Sequence, residues 1–163
     1  QILHFYHDPH KPDTNWQRLQ GCRDALRRGD LAPAGHLHSC FWSHDHRDQD
    51  EAAINGMLDA HPEITAVLAP NDHRAGWIHE ILVDRGLRVP DDISMIGFDD
   101  THEISGAGNG NILTTVRVPL EDIGRRAARL VLDAVHGKYN KLRQEVLPTE
   151  LIVRGTTAKA KTT

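Results

Sequence analysis

Apolar positions along the chain follow two spacings, one typical of strands and one typical of helices. Short apolar or β-branched runs predict strands, and apolar residues spaced by three or four predict amphipathic helices. Strands are predicted over about residues 2–7, 36–42, 64–69, 93–98, 112–117, 144–147 and 150–154. Helices are predicted over about residues 15–28, 49–60 and 119–136, and another follows a cap at Asn71 or Asp72 and ends at Gly86.

Strands and helices alternate over most of the chain, and the connections between them are short. This order predicts an α/β fold, a three-layer sandwich with helices on both faces of a parallel sheet. The run from Ile64 to Ala69 is apolar or β-branched throughout, as expected of a strand that is covered on both faces. The helix of about 119–136 is expected to bury an apolar stripe made of Ile123, Ala127, Leu130, Val131 and Ala134.

Composition narrows the class of protein. The chain has 163 residues, of which 39% are hydrophobic, enough for one domain with its own core. No apolar run approaches the roughly 20 residues that span a bilayer. The formal net charge of −4 offers no basic surface to a nucleic acid, so any action on DNA requires residues outside this sequence. Cys22 and Cys40 are expected to be small buried residues in a reducing compartment.

Polar and aromatic residues are expected at the carboxyl ends of the strands, where open α/β sheets bind ligands. Arg18 follows the first strand, Phe41 and Trp42 end the second, Asn71 follows the third and Asp99 the fourth. This mixture suits a neutral polyol, because fork donors and acceptor oxygens bind hydroxyls while an aromatic face packs on the ring.

Each of these polar residues also has a purely structural interpretation. Asn71 and Asp72 can cap a helix, and capping is the favoured role for Asp72. Asp100 can be a turn residue, and Arg18 can be a solvated helix residue. Their convergence on one edge favours a binding site more than any single residue does.

The twelve histidines raise the possibility of a metal centre. The segment His44-Asp45-His46 holds suitable ligand types, and His36 and His38 face the same side of a predicted strand. No H-E-x-x-H motif or comparable ligand set accompanies them, so solvated or hydrogen-bonded histidines are favoured, and no metal is expected. The glycine-rich run 106–110 leads into a strand rather than a helix, which favours a mobile loop over a phosphate cradle.

Five stretches of the chain resemble the effector domain of the LacI/GalR repressor family, in order and in spacing. The most specific is Leu-Arg-Val-Pro-Asp-Asp-Ile-Ser-Met-Ile-Gly-Phe-Asp-Asp at residues 87–100. The other stretches are residues 18–26, 70–72, 113–116 and 147–157. The resemblance implies a two-lobed fold like that of periplasmic sugar-binding proteins (type I), with the effector held between the lobes.

The resemblance also implies effector contacts at Arg18, Asn71 and Asp99, with an aromatic residue after the second strand. That residue is expected to be Trp42, with Phe41 as the rival. The loop 43–50 is longer and richer in His and Asp than is usual in the family, and Asn111-Ile112 stands where many relatives have prolines. The long loop bears on the assignment of Trp42 to the site, and the missing prolines predict a looser crossover to the other lobe.

The predicted organisation is that of an incomplete two-lobed protein. Residues 1–157 are expected to form the C-terminal lobe, with segments 1–7 and 114–136 belonging to a partly missing N-terminal lobe. Residues 158–163 are expected to be a disordered tail. The chain opens inside a strand-like run without an initiator methionine, and we therefore expect a piece of a longer protein.

These features predict the sensor of a cytoplasmic, homodimeric repressor rather than an enzyme. A small carbohydrate or related metabolite would control DNA binding through a helix-turn-helix outside this sequence, with no cofactor and no membrane partner. An exported sugar-binding protein for transport is the alternative, although the sequence has no secretory signal. A hydrolase using the histidine-rich loop ranks far behind both.

Overall fold

The computed structural model describes residues 1–6, 14–41, 47–106, 110–139 and 143–160. Its strands are β1 (Ile2–Tyr6), β2 (Leu37–Phe41), β3 (Ala66–Leu68), β4 (Ser94–Asp99), β5 (Thr115–Arg117) and β6 (Glu150–Ile152). Its α-helices are α1 (Thr14–Arg28), α2 (Arg47–Ala60), α3 (Asp72–Asp84) and α4 (Leu120–Val135). A short 3-10 helix, Pro33–Gly35, precedes β2. Among the described residues, no helix is long and apolar enough to cross a membrane.

The strands form one six-stranded sheet in the order β2-β1-β3-β4-β5-β6. The first four pairings along this order are parallel, and only β5 and β6 run antiparallel. The predicted α/β architecture is therefore confirmed. Strand β1 lies at the centre of this sheet, hydrogen-bonded to β2 on one side and to β3 on the other. Assigning segment 1–7 to another lobe was wrong for residues 2–6, because these strand pairings place them inside this sheet. Assigning segment 114–136 to that lobe was wrong for residues 115–117 for the same reason, since β5 pairs with β4 and β6.

The main core lies between one face of the sheet and the helices α2 and α3. Leu3, Val67 and Met95 project from adjacent strands on this face and are buried. Ile54 of α2 and Ile78 of α3 belong to the same cluster. Alternate residues of a strand point to opposite faces, so the three parallel strands contribute one continuous apolar layer. At about 25 cal/mol per Å² of apolar surface, this burial is the main favourable contribution to folding.

The C-terminal segment is tied into the sheet by threonine hydrogen bonds. The backbone N–H of Met95 donates to the Thr156 carbonyl at 2.7 Å, and the Thr156 hydroxyl donates back to the Met95 carbonyl at 2.8 Å. The Thr114 N–H donates to the Thr156 hydroxyl at 2.8 Å. The strand predicted over 144–147 is wrong, because residues 143–149 have no regular secondary structure.

The predicted tail is partly attached. The N–H of Ala158 donates to the hydroxyl of Ser94 at 3.2 Å, so order extends at least that far. Residues 161–163 lie outside the described residues.

Helix α4 begins and ends near its predicted limits but does not bury the predicted stripe. Val131 is 62% exposed and Ile123 is 39% exposed, and Ala127 and Ala134 are also exposed. Leu130 is half-buried. The prediction of a buried face is therefore wrong within this chain, although the amphipathic pattern that motivated it is present.

Candidate functional site

The candidate site lies at the carboxyl edge of the sheet, where α1 passes the ends of β3 and β4. The guanidinium of Arg18 lies over the ring of Phe98, 3.7 Å from the ring centroid. Its Nη1 donates a hydrogen bond to the carbonyl of Pro70, directly after β3. A cation over an aromatic face is held by the ring quadrupole, so Arg18 is fixed against two strand ends rather than solvated. This placement contradicts the interpretation of Arg18 as an ordinary surface residue.

Asp99 is the last residue of β4 and has an unusual backbone. Its φ is 105°, a region that non-glycine residues rarely occupy. Burial raises the pKa of its carboxyl group, the nearby Arg18 lowers it, and Asp72 raises it further, so that the net shift is upward. Backbone strain at a partly buried carboxylate is typical of positions that serve a function. The positive charge of Arg18 acts on the Asp99 carboxyl group, but burial decides the direction of the pKa shift.

Asn71 begins the next helix. Its side-chain oxygen accepts the N–H of Arg74 at 2.9 Å and so caps α3. This bond satisfies one of the free backbone donors of the first helical turn. The cap fixes the orientation of the Asn71 side chain. Asn71 lies next to Pro70, which accepts from Arg18, so the two predicted site residues are neighbours.

Asp72 has a different role from the cap that the sequence favoured. Its carboxylate is fully buried and accepts the hydroxyl of Thr115 at 2.5 Å and the N–H of Thr101 at 2.9 Å. These bonds join α3 to β5 and to the segment after β4. The preference for capping at Asp72 was wrong because Asn71 caps the helix instead. Asp72 holds together the elements that carry the site.

Asp100 is paired rather than available to a ligand. It has a φ of 60° and accepts Arg117 Nε at 2.7 Å and Arg154 Nη2 at 2.8 Å. Partial burial tends to raise the pKa of this carboxyl group, but the hydrogen bonds from the two arginines outweigh it, and the pKa is lowered. Asp100 thus joins the end of β4 to β5 through Arg117 and to the C-terminal segment through Arg154.

A cavity of about 230 Å³ opens beside Arg18. Its lining is mainly apolar, and its residues come from β1, α1, β3, β4 and β5. They are His4, Arg18, Leu68, Ala69, Pro70, Ile96, Gly97, Phe98 and Val116. Cavities for small ligands usually measure about 300–1,000 Å³. The present volume is below this range.

The aromatic residue predicted for the site lies outside what the structure describes. Trp42 and the loop that holds His44 and His46 are not among the described residues, and Phe41 is described only as the last backbone position of β2. The structure does bring together the other three predicted residues. It adds His4 and Phe98, which sequence reasoning left inside strands. Alternation along β1 and β4 places both on the face of the sheet opposite the main core, and that signal was available in the sequence.

A mostly parallel α/β sheet with a partly enclosed polar-aromatic site at its carboxyl edge defines a lobe of a small-molecule binding protein. Comparison with known proteins agrees with this class. The family model described as periplasmic binding protein-like domain matches residues 1–157. The chain therefore belongs to the periplasmic binding protein-like domain family, in the branch represented by LacI-family regulators.

Similar curated proteins are transcriptional regulators. The HTH-type transcriptional regulator CelR of Thermobifida fusca is 34% identical over 140 residues, which cover 85% of this chain and 39% of that protein. The HTH-type transcriptional repressor CytR of Escherichia coli K12 is 32% identical over 141 residues, covering 86% of this chain and 40% of that protein. The chain thus spans about two fifths of the length of these relatives.

Solved structures of regulators share the fold. The complex of CelR with cellobiose has a TM-score of 0.74 at 29% identity, covering 94% of this chain and 46% of that chain. A LacI family regulator from Enterococcus faecium with bound ribose has a TM-score of 0.77 at 27% identity, covering 98% of this chain and 57% of that chain.

Proposed function

We propose that this chain is the effector-sensing lobe of a LacI-type transcriptional repressor that binds a small carbohydrate. The observation that carries the proposal is the position of Arg18, held between the ends of β3 and β4 by Pro70 and Phe98 and coupled to Asp99. Such an arrangement presents fixed donors and an acceptor at the edge of an open cavity. The similar structures that contain cellobiose and ribose support a sugar as the class of effector.

Each site residue has a proposed role. Arg18 and Asp99 hold sugar hydroxyls, one as a fork of donors and the other as an acceptor. Asn71 orients the ring through its amide nitrogen, since its oxygen caps α3. Trp42, or Phe41 in its place, packs against the apolar face of the sugar. Because Arg18 already covers Phe98, that ring positions the arginine rather than the sugar.

The second half of the cleft would come from another lobe. We propose that α4 packs on that lobe, because α4 leaves its apolar residues exposed here, whereas the strand β5 before it belongs to this sheet. The effector would bias the relative orientation of the lobes and thereby change the DNA affinity of a helix-turn-helix elsewhere in the protein. A cytoplasmic homodimer with no enzymatic activity fits this role.

Transport is the competing function. An exported sugar-binding protein would use the same fold and a similar site. The curated relatives at 34% and 32% identity are both transcriptional regulators, and this favours the repressor over the transport protein.

The test uses the full-length protein and isothermal titration with pentoses, hexoses and disaccharides, ribose and cellobiose included. We expect one sugar to bind the protein. That sugar should also change the affinity of the protein for its operator DNA, measured as a gel-mobility shift of the DNA. Asp99→Asn should weaken binding of that sugar by about tenfold or more, because hydroxyl donors lose a charged acceptor. Asp84→Asn, an equivalent change at an exposed position, is the control and should leave the affinity unchanged. If the two variants bind the sugar with equal affinity, Asp99 does not belong to the site. If a sugar binds but leaves the DNA affinity unchanged, the transport function is favoured.

A further inference from the structure

A second cluster of polar side chains lies at the amino edge of the sheet, opposite to the Arg18 site. It contains His38 of β2, His61 directly after α2, and Glu63 before β3. His61 Nδ1 lies 3.2 Å from Glu63 Oε1, and His38 Nε2 lies 3.7 Å from the same oxygen. The two imidazole rings are tilted by 39° relative to each other, with 3.9 Å between their centroids. The fold thus brings His38 to His61 and Glu63, which lie 23 and 25 residues further along the chain.

The geometry of these groups matches the needs of a divalent transition metal. Zinc binds imidazole nitrogen at about 2.0–2.1 Å and carboxylate oxygen at about 2.0–2.2 Å, so ligand atoms on one zinc ion lie about 3.3 Å apart. The three candidate atoms here all lie within 4.8 Å of one another. Small rotations of the two rings are enough to close the remaining gap, because all three side chains are partly exposed.

The protonation states are also suitable. Burial, followed by the neighbouring His61, lowers the pKa of His38, which favours the neutral imidazole that binds metals. A backbone hydrogen bond at Glu63 and its bond to His61 lower the pKa of the Glu63 carboxyl group. These shifts favour a neutral His38 and an ionised Glu63. The side-chain oxygen of Gln1 accepts a hydrogen bond from His38 Nε2, so metal binding at this nitrogen requires the His38 tautomer with its proton on Nδ1.

We propose that His38, His61 and Glu63 bind one zinc-type divalent ion, with the Gln1 side-chain oxygen or a water molecule completing a tetrahedral shell. Two imidazoles and one carboxylate are a ligand set that zinc sites in proteins use. The ion would clip β2 to the connection between α2 and β3, and so stabilise this end of the sheet. This site departs from the expectation of no metal, which considered His36, His38 and the His44-Asp45-His46 segment but not His61 or Glu63.

The main test is isothermal titration of Zn²⁺ into the 163-residue protein, prepared without an affinity tag and first treated with a chelator. One ion per chain is expected. Loss of one metal ligand should weaken binding by more than the roughly 10- to 100-fold that loss of an outer hydrogen-bond partner causes. We expect this of both His61→Ala and Glu63→Gln. The partly exposed Glu63 makes the second variant informative even if His61→Ala folds poorly.

Two controls separate this site from other histidines. His136→Ala changes an exposed histidine at the end of α4 and should leave zinc affinity unchanged. The double variant His44→Ala/His46→Ala should also retain the affinity. Zinc binding that is lost in the double variant and kept in Glu63→Gln would overturn the proposal. Failure of the wild-type protein to bind zinc would show that the cluster is only a hydrogen-bonded network.

Thermal unfolding and Co²⁺ absorption supply independent readouts. A hundredfold excess of Zn²⁺ over its Kd should raise the Tm by roughly 5–10 °C, and Mg²⁺ should not, because it prefers oxygen ligands and octahedral geometry. Co²⁺ should give the intense visible bands of a tetrahedral complex in the wild-type protein and in His136→Ala, but not in Glu63→Gln. Equal Tm shifts with Zn²⁺ and Mg²⁺ would exclude an imidazole site.

Discussion

Helix α3 buries Ala75, Ile78 and Leu82 completely, whereas helix α4 leaves Val131 62% and Val135 76% exposed. Both helices are amphipathic in sequence, and their lengths are similar, 13 and 16 residues. The difference is that α3 packs on β4 and α2, while the apolar side of α4 has no such covering within the described residues. An apolar stripe therefore indicates that a helix has a partner, but not that the partner belongs to the same lobe.

The polar contacts of the two helices differ in the same way. Asp72 at the start of α3 bonds to Thr101 and Thr115, which lie far away in sequence. Arg125 of α4 pairs with Glu121 and Asp122 in its own first turns. Exposed pairs of this kind contribute about 0–1 kcal/mol. Helix α3 is thus fixed by the tertiary structure, and α4 is stabilised mainly by local interactions.

Truncating the same residue type in both helices should give the largest contrast. Ile78→Ala removes a fully buried side chain from α3 and should lower the free energy of unfolding by about 2–5 kcal/mol. Ile123→Ala in α4 is the matched change at a side chain that is 39% exposed, and should cost less than about 1 kcal/mol. Urea denaturation of both variants measures the difference. Equal losses would show that α4 is packed in solution.

Replacing a glycine by alanine should change the stability in opposite directions at Gly97, which contacts α3, and at Gly124, which lies within α4. A Cβ at Gly97 would collide with the buried carboxylate of Asp72 and lie 3.0 Å from Leu113, so Gly97→Ala should destabilise by about 1–3 kcal/mol. A Cβ at Gly124 in α4 meets nothing within 4 Å, and Gly124→Ala should stabilise by about 0.5–1 kcal/mol through helix propensity. Thermal unfolding distinguishes these signs. A stabilised Gly97→Ala would mean that Asp72 is free to move.

The uncovered face of α4 should make this chain associate with itself. Reburial of apolar surface is worth about 25 cal/mol per Å², so a patch of a few hundred Å² contributes several kcal/mol before the costs of association. Sedimentation at micromolar concentration should show dimers or larger species. Val131→Asp should weaken association by about tenfold, whereas Val83→Asp, at a 52% exposed position of α3, should not. A wild-type monomer would contradict the proposed role of α4.

Sequence reasoning succeeded best where a local pattern had only one three-dimensional consequence. Alternating strands and helices with short connections required a parallel sheet. The rule that ligand sites gather at the carboxyl ends of strands selected Arg18, Asn71 and Asp99 as site residues, and this selection stays a prediction. The structure places these three residues on adjacent elements, and Trp42 lies outside the described residues.

The errors have a shared physical origin in long-range contacts. The position of β1 depends on hydrogen bonds to β2 and β3, which no property of residues 2–6 specifies. Asp72 and Asn71 are both good caps, and only the nearby hydroxyl of Thr115 gives Asp72 a different role.

The amino-acid pattern by itself determined the order of elements, the class of fold and the edge of the sheet that carries the candidate site. These features depend on side-chain periodicity and chain connectivity, which are local. The tertiary structure alone decided which helix face is covered, which carboxylate is buried, and that His38, His61 and Glu63 meet. Such features depend on distances between segments far apart in the chain, and those distances are set only when the whole sheet assembles.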